Sequence, residues 1–170
     1  MKKQNFQTTA VREGNHTTSE QEHSAAIFLT SSYQFESAEQ AADRFENSQK
    51  GNVYSRFTNP TVDSFQNKLA ALEGAEKCQA TASGMSAIFA TIMTLLKPGE
   101  HMVASRCMFG TTIILLNSII EKFEIQVTFV DLADLDAWEQ SVQKNTKLFL
   151  LETPSNPLGE VVDIEKLSAI

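Results

Sequence analysis

At 170 residues the chain is long enough for one domain, and 42% hydrophobic content is ample for a core. A formal charge of −7 and an isoelectric point near 5.0 exclude a surface for nucleic-acid backbones, which need clustered basic side chains. Any phosphate held here is therefore small and held locally.

The start, Met1-Lys2-Lys3-Gln4-Asn5, has the basic residues of a signal peptide but no apolar run behind them. No later stretch is long enough to span a bilayer, so the reading is a soluble cytoplasmic protein without a membrane partner. Cys78 and Cys107 lie apart without metal-ligand spacing and read as buried small hydrophobes. His16, His23 and His101 do not cluster, so no metal site is expected.

Residues 1–57 lack a βα rhythm. Polar stretches such as Gly14-Asn15-His16-Thr17-Thr18-Ser19 alternate with short apolar ones such as Ala26-Ile27-Phe28-Leu29, which suggests an extended arm. Within it, Ser37-Ala38-Glu39-Gln40 resembles a capping box leading into a short helix through Phe45. Further on, Asn59 is placed to cap a helix and Pro60 to occupy its first position. Val62, Phe65, Leu69 and Leu72 form its apolar stripe, and Gly74 ends it.

From there the pattern alternates. A strand is predicted at 77–80, a helix from Met85 to Leu96 stopped by Lys97-Pro98-Gly99, and a strand over His101–Ala104. A helix follows around Thr112–Lys122, then a strand through Ile125, Val127 and Phe129, a helix from Leu135 to Val142, and an apolar strand at Leu148–Leu151. Repeated βα units predict an α/β fold whose mainly parallel sheet carries helices on its faces.

In such sheets ligands bind beyond the carboxyl ends of the strands. The loops there are Thr81–Met85, Ser105–Thr111, Asp131–Asp134 and Glu152–Pro157. The first opens a helix whose unpaired amides and positive dipole end suit an anion. Gly84 allows close approach there, and Ser83 or Ser86 offers a hydroxyl. Plain capping is the competing reading, because the stretch has neither P-loop nor three-glycine dinucleotide spacing. Phe109 brings an aromatic face, and Asn156 sits between two prolines that limit its motion, in what is also an ordinary turn sequence. Each loop alone reads as structural. Together they suit a flat, phosphorylated ligand, with phosphate on the helix N-terminus, ring against Phe109 and polar edge at Asn156.

Four motifs in order carry a resemblance: Tyr54-Ser55-Arg56-Phe57-Thr58-Asn59-Pro60-Thr61, Ala82-Ser83-Gly84-Met85, Met108-Phe109-Gly110-Thr111 and Glu152-Thr153-Pro154-Ser155-Asn156-Pro157. With them the chain, from about Thr9 to Ile170, resembles the Cys/Met-metabolism pyridoxal-phosphate enzymes, cystathionine γ-synthase and its relatives. The resemblance implies a fold type I transferase with an aspartate aminotransferase-like large domain. Residues 58–170 would be its first part and residues 1–57 an arm contacting a neighbouring subunit of a homodimer or homotetramer. It implies pyridoxal 5′-phosphate as cofactor, with backbone amides at Gly84 and Met85 on the phosphate, Phe109 stacked on the ring and Asn156 at the ring's hydroxyl edge. Tyr54 and Arg56 match a pair that reaches the neighbouring subunit's phosphate.

Most of the family has Tyr where this chain has Phe109, which keeps the stacking face but has no ionisable oxygen. This feature, with Ile27-Phe28-Leu29-Thr30-Ser31-Ser32 and Ser105-Arg106-Cys107-Met108, resembles the sulfhydrylase branch acting on O-succinyl-L-homoserine. The implied activity is γ-replacement by sulfide to give L-homocysteine and succinate. A cystathionine γ-synthase or γ-lyase shares every motif, an O-acetyl substrate remains open, and a non-catalytic piece pairing with an intact subunit is a further alternative. No catalytic residue falls within the chain. Lys77, Lys97, Lys147 and Lys166 match no Schiff-base motif, Asp131 reads as a strand-end residue and Asp163 as a helix N-cap. The resemblance places the Schiff-base Lys and the pyridinium-pairing Asp beyond Ile170, so residues 1–170 are expected to be the inactive amino-terminal portion of a longer enzyme.

Overall fold

A computed structural model describes residues 5–170, so the reading of Met1 to Gln4 lies outside the described residues. They divide between Ala80 and Thr81 into two compact units.

In the first unit the expected arm contains the predicted helix ending at Phe45 and a second, unpredicted helix before it. Helix α1 (Phe6–Arg12) is capped by Asn5, whose side chain accepts from Thr8 N at 2.9 Å. Helix α2 (Ala38–Phe45) is capped by Ser37, which accepts from Gln40 N at 3.0 Å. The box is not closed as predicted, since the Gln40 side chain accepts from Glu36 N at 2.9 Å instead. Helix α3 (Pro60–Glu73) has the predicted limits: Asn59 caps it, Pro60 opens it, and Gly74 ends it in the left-handed region at φ 66°. Gly14 packs against α3, with φ +74°; a Cβ there would lie 2.2 Å from Ser64 O.

The predicted strand at 77–80 is absent. A strand needs a neighbour to pair its amides, and Ala80 N is held instead by the Gln66 side chain at 2.8 Å.

The second unit is a three-stranded parallel sheet with helices on both faces. Its strands are β1 (His101–Ser105), β2 (Gln126–Val130) and β3 (Thr146–Leu150), in the order β2-β1-β3. β1 is buried along its whole length, as a central strand covered on both faces must be. Its side chains alternate between two cores. Met102 and Ala104 join Ile92 and Leu96 around helix α4 (Gly84–Leu95), and Leu115 and Leu116 of helix α5 (Gly110–Ser118). Val103 points the other way, toward Trp138 of helix α6 (Leu135–Gln140) and Leu167 of helix α7 (Ile164–Ser168). Trp138 is fully buried, and its indole N–H donates to Leu132 O at 3.2 Å.

Two helices end sooner than predicted. α5 gives way to a 3-10 turn over Ile120–Phe123, which buries Ile120 completely and leaves Ile119 exposed. α6 stops before Ser141, because Val142 has no core to enter and is exposed. Asp163 caps α7, as expected, accepting from Lys166 N at 3.2 Å. Among the described residues no helix is long and apolar enough to cross a membrane.

Candidate functional site

The opening of α4 is a reciprocal cap. Ser83 Oγ accepts from Ser86 N at 3.2 Å, and Ser86 Oγ accepts from Ser83 N at 3.0 Å. Ala87 N donates to Ser83 O at 3.0 Å. The amides between them, of Gly84 and Met85, have no acceptor among the described residues. A Cβ built on Gly84 would meet no atom within 4 Å, so the space beside Gly84 is open. Two free N–H groups at the positive end of a twelve-residue helix fit a small phosphate. The serine hydroxyls are less available than predicted. Ser86 Oγ donates to Ser83 O at 2.8 Å, and the two hydroxyls lie 3.1 Å apart.

The loop after β1 ends on Phe109, the N-cap of α5, an exposed residue at 48% of its accessible surface. Its carbonyl accepts from Thr112 N at 2.9 Å. Its amide donates to Glu152 Oε2 at 3.0 Å, joining the β1 loop to the β3 loop. On the other side, Thr111 Oγ1 contacts Met85 Sδ at 3.7 Å, which sets the starts of α4 and α5 side by side. The structure therefore brings Gly84, Met85 and Phe109 to one end of the sheet. Sequence reasoning missed Glu152, although it stands in the quoted motif directly before Thr153; a carboxylate at a strand end opposite a helix start was the available signal.

Asn156 is exposed in the turn after β3. Its position is fixed less by the flanking prolines than by Ser155, which is buried. Ser155 donates its amide to Glu160 O at 2.8 Å and accepts from Glu160 N at 3.0 Å and Gly159 N at 2.7 Å. Asp131, at the end of β2, pairs with Arg106 at 3.1 Å. Cys107 is half-buried, not buried; the neighbouring Glu160 carboxylate and desolvation raise its pKa, which favours the thiol over the thiolate. Cys78 is likewise half-buried.

Tyr54 and Arg56 belong to the first unit. Tyr54 bridges to Ser32 in antiparallel fashion, and Ser55 N donates to Ser31 O at 2.9 Å. The Arg56 guanidinium lies 5.1 Å from the Tyr54 ring centre and 5.3 Å from that of Phe57. Among the described residues no carboxylate pairs with it. The aromatic pair presents the guanidinium without using its N–H edge, which remains available for an anion.

A family model described as Cys/Met metabolism PLP-dependent enzyme matches residues 7–170. An O-succinylhomoserine sulfhydrylase from Pseudomonas aeruginosa is 54% identical over 97% of this chain and 41% of its own length. An L-methionine gamma-lyase from Fusobacterium nucleatum is 41% identical over the whole chain and 43% of its own length. Among solved structures, a putative O-acetylhomoserine (thiol)-lyase from Campylobacter jejuni superposes with a TM-score of 0.89 at 34% identity, covering 98% of this chain and 41% of that one. That protein carries a pyridoxyl-lysine phosphate at position 205 of its own chain. The chain thus spans about two fifths of the length of the relatives it matches.

Proposed function

Because the chain belongs to the Cys/Met-metabolism PLP-dependent enzymes, we propose that the complete protein replaces the γ-substituent of O-succinyl-L-homoserine with sulfide, giving L-homocysteine and succinate. The family's cofactor is pyridoxal phosphate, and the free amides and open space at the start of α4 fit its phosphate. When bound, it supplies an electron sink that lets protons leave the amino-acid carbons and the γ-substituent depart.

This chain's own residues bind and orient. The Gly84 and Met85 amides hold the phosphate, and the α4 dipole favours its charge. Phe109 would give the ring a face to stack on. Asn156 meets the ring's hydroxyl edge. Tyr54 and Arg56 reach the phosphate of a neighbouring subunit, where a planar guanidinium makes a bidentate contact. Residues 58–170 contribute to the cofactor-binding domain and residues 1–57 to the contact between subunits. No lysine of the chain stands in a sequence matching the Schiff-base motif, so residues 1–170 alone are expected to turn over no substrate.

The observation that carries the activity is the 54% identity to a named sulfhydrylase, with Phe109 in place of a phenol as support. The 41% identity to a named γ-lyase makes elimination the second reading. The complete protein, loaded with pyridoxal phosphate, is expected to form homocysteine only when both O-succinyl-L-homoserine and sulfide are supplied. Release of ammonia from L-methionine alone, with no homocysteine formed from the two substrates, would overturn the sulfhydrylase reading in favour of the lyase.

A further inference from the structure

The geometry points to Glu152 as the residue that positions Phe109, and through it the cofactor ring. The inference rests on the reading of Phe109 as the ring's platform. Phe109 is 48% exposed, so packing restrains its side chain less than it would a buried one. The backbone that carries the ring is held on both sides. The Phe109 carbonyl is held by the amides of Thr112 and Ile113, at 2.9 and 3.3 Å. The Phe109 amide is held by one group only, Glu152 Oε2 at 3.0 Å.

Phe109 makes no side-chain cap for α5, so the carboxylate from the β3 loop serves that helix end from outside. A charge-assisted bond to an amide at the positive end of a helix is stronger than a neutral one. Glu152 is half-buried and Phe109 lies 43 residues earlier, so one side chain ties two strand-end loops together. Glu152 needs no contact with the cofactor for this. It fixes the backbone position from which the aromatic face reaches the ring.

The test uses the complete protein and pyridoxal phosphate as the probe, reading the dissociation constant and the visible circular-dichroism band of the bound cofactor. Glu152→Ala is expected to weaken binding about tenfold and reduce the band, while Glu152→Gln, which keeps an oxygen acceptor, stays within about threefold of the parent. In a Phe109→Ala background, Glu152→Ala is expected to add nothing further, since its effect passes through that residue. Glu152→Asp pulls the acceptor back by about one carbon–carbon bond and is expected to reduce the band with the melting temperature unchanged, which covers a failure of Glu152→Ala to fold. An unchanged band in Glu152→Ala or Glu152→Asp, equal losses in Gln and Ala, or full additivity with Phe109→Ala would each overturn the assignment. If the parent protein itself gives no cofactor band, the reading of the site fails rather than the role of Glu152.

Discussion

Gly84 separates a ligand role from a folding role more cleanly than any other residue of the site. A methyl group at Gly84 meets no protein atom within 4 Å, and alanine is preferred to glycine in helices by about 1 kcal/mol. Gly84→Ala should therefore melt no lower than the parent without cofactor. The same methyl would obstruct the close backbone approach that the proposed phosphate contact needs, and the dissociation constant for pyridoxal phosphate should rise at least about tenfold. A cofactor titration beside a melting curve checks both. His101 makes the opposite case, a titratable residue outside the site. Its imidazole is buried in β1, bridging Thr146 Oγ1 at 2.7 Å and Thr128 Oγ1 at 2.9 Å. Burial lowers its pKa from the ordinary 6.5, so at mildly acid pH the folded chain binds fewer protons than the unfolded one. Its contribution to stability is complete above that value and falls as the pH drops through and below it. Urea midpoints measured at about pH 8 and about pH 5.5 should differ less in His101→Gln than in the parent.

At the scale of the element, the caps decide how well each helix start is built. Removing the Ser83 hydroxyl costs roughly 1 kcal/mol of stability but leaves the Gly84 and Met85 amides in place. Ser83→Ala should thus lower the melting temperature while weakening cofactor binding less than Gly84→Ala does. What could be read in the sequence follows the same division. The limits of α3 were legible because Asn59, Pro60 and Gly74 act on their own neighbours, and the start of α4 was legible for the same reason. The strand predicted at 77–80 failed because pairing is not a local property. The early end of α5 failed because burial of Ile120 against Met102 and Ile125, not helix propensity, sets the chain's path there. Of the candidate site, the meeting of the Gly84 and Phe109 loops at one end of the sheet could be read from sequence. Glu152 could not, because its partner is distant in sequence. Gly14 shows the same limit: only the structure reveals Ser64 O beside it, and Gly14→Ala should destabilise the first unit by about 1–3 kcal/mol, measurable by denaturant unfolding.

For the whole molecule, the question is which subunit's phosphate Arg56 would serve in the proposed site. Its guanidinium is held against Tyr54 and Phe57 with no carboxylate partner among the described residues, whereas the proposed phosphate cradle belongs to the second unit. If the proposed contact runs between subunits, each site of a symmetric dimer draws Arg56 from one copy and Gly84, Met85 and Phe109 from the other. Two defective forms of the complete protein, Arg56→Ala and Phe109→Ala, then become complementary. In a mixed dimer one site receives both lesions, while the other combines an intact Phe109 with an intact Arg56. With equal amounts and random pairing, roughly half the dimers are mixed, so roughly a quarter of all sites are whole. Co-expressed and refolded together, the two variants should recover about that share of parental activity, provided each alone is nearly inactive. An Arg56 that served its own subunit's phosphate would give no recovery at any mixing ratio, because every site would keep one lesion.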